Sequence, residues 1–152
     1  MAANGRKYGF SGSITGAATK TVVGMTATSA VRPFLTDIMI SSNATPADNS
    51  SEWQVLRFTA AGTSTSVTPT AFDSGDPAAT TVCGKNHSVE PTYSPAVPLL
   101  DIAHNQRATF RWVAAPGEEI IAPATAANGF GIQCQGVGGS GVAEIVSVVF
   151  GE

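Results

Sequence analysis

The densest group of side chains able to do chemistry in this 152-residue sequence is Cys83, His87 and Glu90. Zinc accepts a thiolate, an imidazole and a carboxylate as ligands, and His104 is the remaining histidine that could complete a set of four. Zinc ligands usually come in closer, paired spacings. The spacing therefore favours a solvated loop, and we expect no metal ion and no cofactor.

Two aspartates, Asp73 and Asp76, resemble half of a calcium-binding loop. Such a loop also needs oxygen ligands at alternate positions and a closing glutamate, which this segment lacks. Asp commonly forms turns, and Pro77 follows directly. The sequence therefore predicts a turn at this position.

No arrangement in the sequence is typical of a catalytic site. Neither Cys83 nor Cys134 lies in a known nucleophile signature, and Cys134 alternates with apolar residues as a small core residue would. Glu118 and Glu119 are neighbours, so on a strand they point to opposite faces and cannot act as an acid–base couple. The glycine-rich run 136–141 lacks the lysine of a phosphate-binding loop. We expect a protein without catalytic residues.

The composition combines 43% hydrophobic residues with only 12% charged residues, about half the charged share of a typical soluble domain. Threonine, serine, glycine and alanine take the place of the charges. This composition has two interpretations: a threonine-rich β protein, or a domain whose surface is largely covered by neighbouring subunits, because the cores of interfaces are poor in charge.

The charge is unevenly placed along the chain. Residues 1–36 contain four basic residues and no acid, which gives +4, so the total of −3 leaves −7 for the rest. Four dispersed cations are too few for a nucleic-acid-binding face, and no nucleic acid is expected as a partner. Residues 1–20 are predicted to form a partly flexible basic arm. Two interpretations of it stay open: either Arg6, Lys7, Tyr8 and Phe10 dock on an acidic protein surface, or the arm is simply solvated.

No segment predicts a secretory signal or a membrane span, and no membrane partner is expected. With no export signal, Cys83 and Cys134 are interpreted as reduced thiols of a protein made in a bacterial-type cytoplasm.

Strand patterns dominate the sequence, because 16 glycines and 9 prolines interrupt every stretch that could form a long helix. The segment 106–114 has the clearest alternation, with Phe110 and Trp112 predicted to face the core and Arg111 to lie outside, available to a partner. Strands are predicted at 33–41, 52–60, 106–114, 118–122, 130–134 and 142–150, with weaker patterns at 21–31, 65–71 and 97–103.

About eight antiparallel strands with uneven loops predict an all-β, jelly-roll-like sandwich over residues 21–152, one domain. Phe72–Pro98 is the longest predicted connection, and so long a loop in a small domain is usually functional. It is predicted to be a contact arm for a partner, with these side chains as candidates: Asp73, Asp76, His87, Glu90 and Tyr93.

Two stretches, Gly62–Pro69 continuing to Phe72–Ala79 and Asn105–Glu119, resemble small jelly-roll proteins of tailed bacteriophages. These include capsid cement or decoration proteins. The resemblance covers about half of the chain and implies a homotrimer that binds the major capsid protein on the outer surface of the head. It brings no catalytic residues.

A second hypothesis, from a different class, is a carbohydrate- or receptor-binding jelly-roll module of a tail or fibre. It depends on the polar surface and on Trp53 as a platform for a sugar ring. An enzyme is the third possibility, and no convergent group of titratable residues favours it.

Overall fold

The computed structural model describes residues 5–15, 19–137 and 142–152, and within them the chain forms strands and no helix. The predicted all-β sandwich is confirmed. The thirteen strands are β1 (Lys7–Thr15), β2 (Lys20–Thr26), β3 (Phe34–Ala44), β4 (Ser50–Ala60), β5 (Thr63–Val67), β6 (Thr70–Ala71), β7 (Val82–Val89), β8 (Thr92–Tyr93), β9 (Leu100–Asn105), β10 (Phe110–Val113), β11 (Ile120–Ile121), β12 (Gly129–Val137) and β13 (Ala143–Gly151).

The strands form two antiparallel sheets packed face to face. The first sheet has the order β10-β3-β13-β1-β6, with β11 also paired to β3. The second has the order β5-β7-β2-β12-β4-β8, with β9 also paired to β4.

Eight of these strands reproduce the strand order of a jelly roll. Counted along the chain, they are β1, β2, β3, β4, β9, β10, β12 and β13. In the first sheet the strands β1, β13, β3 and β10 lie side by side, which are the first, eighth, third and sixth of the eight. In the second sheet they are β2, β12, β4 and β9, the second, seventh, fourth and fifth. This order gives two sheets connected as Greek keys.

Between β4 and β9 the chain makes an excursion that adds strands to both sheets. β7 and β5 extend the second sheet beyond β2, and β6 pairs with β1 in the first. The prediction of one long loop over Phe72–Pro98 is therefore wrong. Residues 82–89 and 92–93 of it are strands, because their backbone groups pair with β2, β5 and β4.

The predicted arm over residues 1–20 is also wrong where the structure describes it. Residues 7–15 form β1, which pairs along its whole length with β13. Tyr8 is fully buried and stacks on Phe150 at a ring distance of 5.5 Å, and Phe10 packs against the core. Residues 1–4 and 16–18 lie outside the described residues.

The strand predicted at 106–114 begins only at Phe110. Residues 106–108 form a turn in which the Ala108 N–H donates to the Asn105 carbonyl. The Gln106 side chain is buried and accepts a hydrogen bond from the Ala47 N–H. This hydrogen bond stabilises the turn. The orientation predicted for the strand itself is confirmed, since Trp112 packs against the core and Arg111 is exposed.

Apolar side chains from both sheets fill the space between them. Phe130, Ile132 and Cys134 of β12 all lie in this core, which confirms the prediction that Cys134 is a small core residue. Trp53 of β4 is fully buried in the same core. The platform that this residue was expected to offer a sugar is therefore absent, and that interpretation of Trp53 is wrong.

One carboxylate lies inside this apolar core. Glu144 of β13 is fully buried and accepts hydrogen bonds from the Ser51 hydroxyl at 2.6 Å and the Trp53 indole N–H at 2.8 Å, both on β4. The Nε2 atom of His104 lies 3.9 Å from the same carboxylate. These bonds join the two sheets, since β13 belongs to the first and β4 to the second. They also provide the donors that a buried carboxylate needs, because a buried polar group without partners costs free energy.

Candidate interaction surface

The outer face of the first sheet is built from two rows of side chains set by strand register. One row runs across Gly9, Val149, Asp37 and Val113, and the other across Ser11, Ser147, Met39 and Arg111. Residues directly opposite in antiparallel strands share a face, and their sequence neighbours such as Ile38 and Val148 point into the core. We call these two rows, with Phe72, the outer face of the first sheet.

Large apolar side chains on this face remain open to solvent. Phe72 is 67% exposed, Val113 57% and Met39 42%. Phe72 follows β6 and covers Gly9, where an added Cβ would lie 3.2 Å from its ring. A single exposed apolar residue is ordinary, but a group of them on one sheet face is typical of an interaction site.

The charges on this face largely cancel. Arg111 binds Asp37 with two guanidinium nitrogens, its Nε lying 3.1 Å from Oδ1. The Lys7 ammonium lies 4.2 Å from the centre of the Phe34 ring, a favourable cation–π contact. Burial lowers the pKa of Lys7, and the nearby Glu119 opposes that shift. Arg111 and Asp37 therefore cancel, and apart from Lys7 at its side the face is largely apolar.

Three shallow depressions on this face share their walls. The largest, about 360 Å³, lies among Phe72, Val113 and Val149, with Lys7 and Asp37 at its side. A second of about 300 Å³ shares Asp37 and Val149 with it, and a third of about 270 Å³ shares Phe72. Together they make one continuous surface with Phe72 standing out of it.

The predicted residues near the chain start meet the Asp73–Asp76 turn at one end of this face. Arg6 Nε lies 3.7 Å from Asp76 Oδ1, and the Tyr8 hydroxyl donates to the Pro77 carbonyl at 3.0 Å. The Asp73 carboxylate accepts from the Gly75 N–H at 2.9 Å. The turn predicted at Asp73 and Asp76 is confirmed.

His87, Glu90 and Tyr93 come together on the other side of the molecule, on the outer face of the second sheet. The Glu90 carboxylate accepts hydrogen bonds from the backbone N–H and the hydroxyl of Thr21 and from the Gln133 amide. The Tyr93 hydroxyl joins the same Thr21 hydroxyl. This network fastens the chain after β7 to β2 and β12, so Glu90 and Tyr93 support the fold.

The His87 ring is buried beside this network, where its Nδ1 lies 3.2 Å from the Thr21 carbonyl. Burial lowers the pKa of His87, and the bond to Thr21 opposes that shift. Within the described ranges, no three His, Cys, Asp or Glu side chains lie close enough together to hold a metal ion. Of the three residues considered as zinc ligands, Cys83 lies in the core between the sheets, whereas His87 and Glu90 each contact Thr21.

Both cysteines are free and buried. Burial raises the pKa of each thiol to about 12, and the nearest carboxylates act in the same direction. A thiol with so high a pKa has almost no thiolate at neutral pH, which makes it a poor nucleophile.

These thiols should make the fold less stable at alkaline pH. Between about pH 8.5, where an unfolded thiol ionises, and pH 12, the folded chain keeps protons that the unfolded chain has lost, so stability falls as pH rises. At pH 10 the expected loss is about 2 kcal/mol per thiol. Urea unfolding of the wild type and of Cys83→Ala/Cys134→Ala, each at pH 7 and pH 10, measures it. An equal pH effect in both proteins would contradict the prediction.

Sequence reasoning placed Val113 on the same outer side of its strand as Arg111, which its exposure confirms, but it did not single out Phe72 or Met39 as surface residues. Phe72 lies inside a stretch that carries the family resemblance, but its exposure depends on the pairing of β6 with β1. Met39 lies in a predicted strand, and which face of a strand is solvated follows from register with its neighbours.

Among the residues that the structure describes, no helix is long and apolar enough to cross a membrane. Comparisons of this chain with protein-family models, with curated proteins and with solved structures found no match.

Proposed function

We propose that this protein is a non-enzymatic structural protein of a phage particle, a capsid cement or decoration protein. It forms a homotrimer, binds the major capsid protein on the outer surface of the head, and is made in the host bacterial cytoplasm. The family resemblance of residues 62–79 and 105–119 supports the particle and the trimer.

The observation that carries the proposal is the outer face of the first sheet. A strand face with Phe72, Val113 and Met39 open to solvent and with Arg111 paired to Asp37 costs free energy in water. Covering it with another subunit removes that cost. A low overall charge also does little to keep single domains apart.

The contact with the capsid protein is assigned to the end of the molecule where Arg6 lies near Asp76. The Arg6 side chain is 52% exposed and the Asp76 side chain 25%. Mixed charges of this kind at the rim of an interface set orientation and association rate.

The test is addition of purified protein to heads stripped of their surface proteins, followed by sedimentation. We expect the wild type to sediment with heads and not with tails, and Arg6→Glu to bind at least 10-fold more weakly, because it reverses a rim charge. Arg32→Glu is the matched control, since Arg32 is also exposed. Sedimentation with tails alone, or a monomer by light scattering at micromolar concentration, would refute the proposal.

The alternative, a carbohydrate- or receptor-binding module of a tail or fibre, has one observation in its favour. A depression of about 290 Å³ beside His87 is lined by Gly24 and by three residues that carry hydroxyl groups, Thr63, Ser64 and Ser66. Hydroxyl groups of this kind can bind a sugar. A glycan array with wild type and Ser66→Leu decides: tight binding lost in the variant would favour this function over the first.

A further inference from the structure

The trimer of the proposed function needs two different surfaces on each copy. A ring of three is closed by a heterologous contact, in which one patch of a subunit meets a second patch of the next. Seven large apolar side chains are exposed among the described residues, and two of them, Val82 and Val89, lie at opposite ends of β7 and so form no patch. The other five form two groups. One is on the outer face of the first sheet, and the other is Val97 and Leu99.

Val97 and Leu99 lie on a loop over residues 94–99, between β8 and β9, which we call the proline loop. Both of its ends are fastened to β4: the Ser94 N–H donates to the Arg57 carbonyl, and the Leu99 N–H to the Val55 carbonyl at 2.7 Å. Val97 between them is 66% exposed. The loop is a firmly held apolar projection on the second sheet.

The composition of the proline loop suits a buried contact. Residues 94–99 contain two prolines, Pro95 and Pro98, and no charged residue. Proline restricts the backbone, so ordering such a segment on binding costs little entropy. The cores of protein interfaces are likewise poor in charged residues.

The proline loop and the outer face of the first sheet also complement each other at their edges. Lys7 lines the largest depression, beside Phe72, Val113 and Val149. Asp101 is exposed and follows the proline loop by two residues. If Val97 lies in the depression, Asp101 of one subunit comes towards Lys7 of the next. The apolar contact and the attraction between opposite charges therefore favour the same docking.

We propose that the proline loop of one subunit docks in the depression beside Phe72 of the next, and that three such contacts close the ring. The proposal rests on the homotrimer of the proposed function and names the surfaces that form it. The partner on this face is a second copy of this chain.

Cross-linking through engineered cysteines tests the contact. In a Cys83→Ala/Cys134→Ala background, the double variant Phe72→Cys/Val97→Cys is treated with a short bismaleimide and run on a denaturing gel. We expect a covalent trimer as the largest product. Mixing the two single variants should give covalent dimers, whereas each alone should stay a single chain. Val89→Cys in place of Val97→Cys is the control, because Val89 is 58% exposed but lies on β7.

A second measurement keeps the test independent of cysteine chemistry. Val97→Asp should raise the concentration at which half of the trimer dissociates by at least 10-fold, and Val82→Asp, at a residue 58% exposed elsewhere, should leave it unchanged.

Covalent dimers from Phe72→Cys alone would show that the outer faces of two copies meet each other. That result would overturn the proposal. A trimer by light scattering that gives no 72–97 cross-link would overturn the docking and leave the proposed function standing. A monomer would overturn both. A cross-link from Val97→Cys to the capsid protein, with none between copies, would assign the proline loop to the head and also overturn the docking.

Discussion

Trp53→Ala should lower the free energy of unfolding by about 3–5 kcal/mol, the range for removing a large aromatic side chain from a core. Trp53 is fully buried between the sheets, and its indole N–H donates to Glu144 at 2.8 Å. The substitution leaves both a cavity and a buried carboxylate that has lost one donor. Urea unfolding followed by circular dichroism measures the change.

Two matched variants separate these causes. Trp53→Phe keeps most of the volume and removes the donor, so about 1–3 kcal/mol should be lost. Trp112→Ala removes the same type of side chain at a half-buried position and should cost less than Trp53→Ala. If Trp112→Ala proves the more harmful of the two, Trp53 does not occupy the centre of the core.

Deletion of residues 1–12 should leave the chain unfolded. The deletion removes Tyr8, which is fully buried, and most of the strand that pairs with β13. Burial of a large apolar side chain contributes about 1.5–3 kcal/mol, and the whole stability of a domain is about 5–15 kcal/mol. The free energy lost with two aromatic residues and most of the β1–β13 hydrogen bonds is therefore comparable with the whole stability of the domain. Near-ultraviolet circular dichroism and resistance to proteolysis measure it.

Deletion of residues 1–4 is the control, because it leaves β1 whole. This shorter deletion should unfold at the same urea concentration as the wild type. A stable, folded protein after deletion of residues 1–12 would restore the view of this segment as an arm.

Strands with regular apolar alternation were predictable. β3, β4, β12 and β13 were placed to within a few residues, because their side chains change character at every second position. β1 was missed since glycine and serine separate its apolar residues, which gave it the composition of a linker. β7 was missed for a similar reason, as Gly84, Lys85, Asn86 and His87 occupy its centre.

The surface and the core carboxylate depend on pairings that no local pattern contains. Each row of the outer face takes side chains from β1, β13, β3 and β10, and β1 and β13 lie at opposite ends of the sequence. Ser51 and Glu144 are likewise 93 positions apart. A shift of one residue in any of these registers would turn the exposed side chains inward, so the surface is known only once the register is known.

The order of the strands has a consequence for how the chain folds. The two strands latest in this sequence, β12 and β13, are the ones that join the others: β12 lies between β2 and β4, and β13 between β1 and β3. A growing chain therefore holds most of its strands before either joining strand exists. Folding dominated by such distant pairings is slow and leaves strand edges open for longer. We therefore expect this chain to be most prone to aggregation during synthesis, before β12 and β13 have paired with their neighbours.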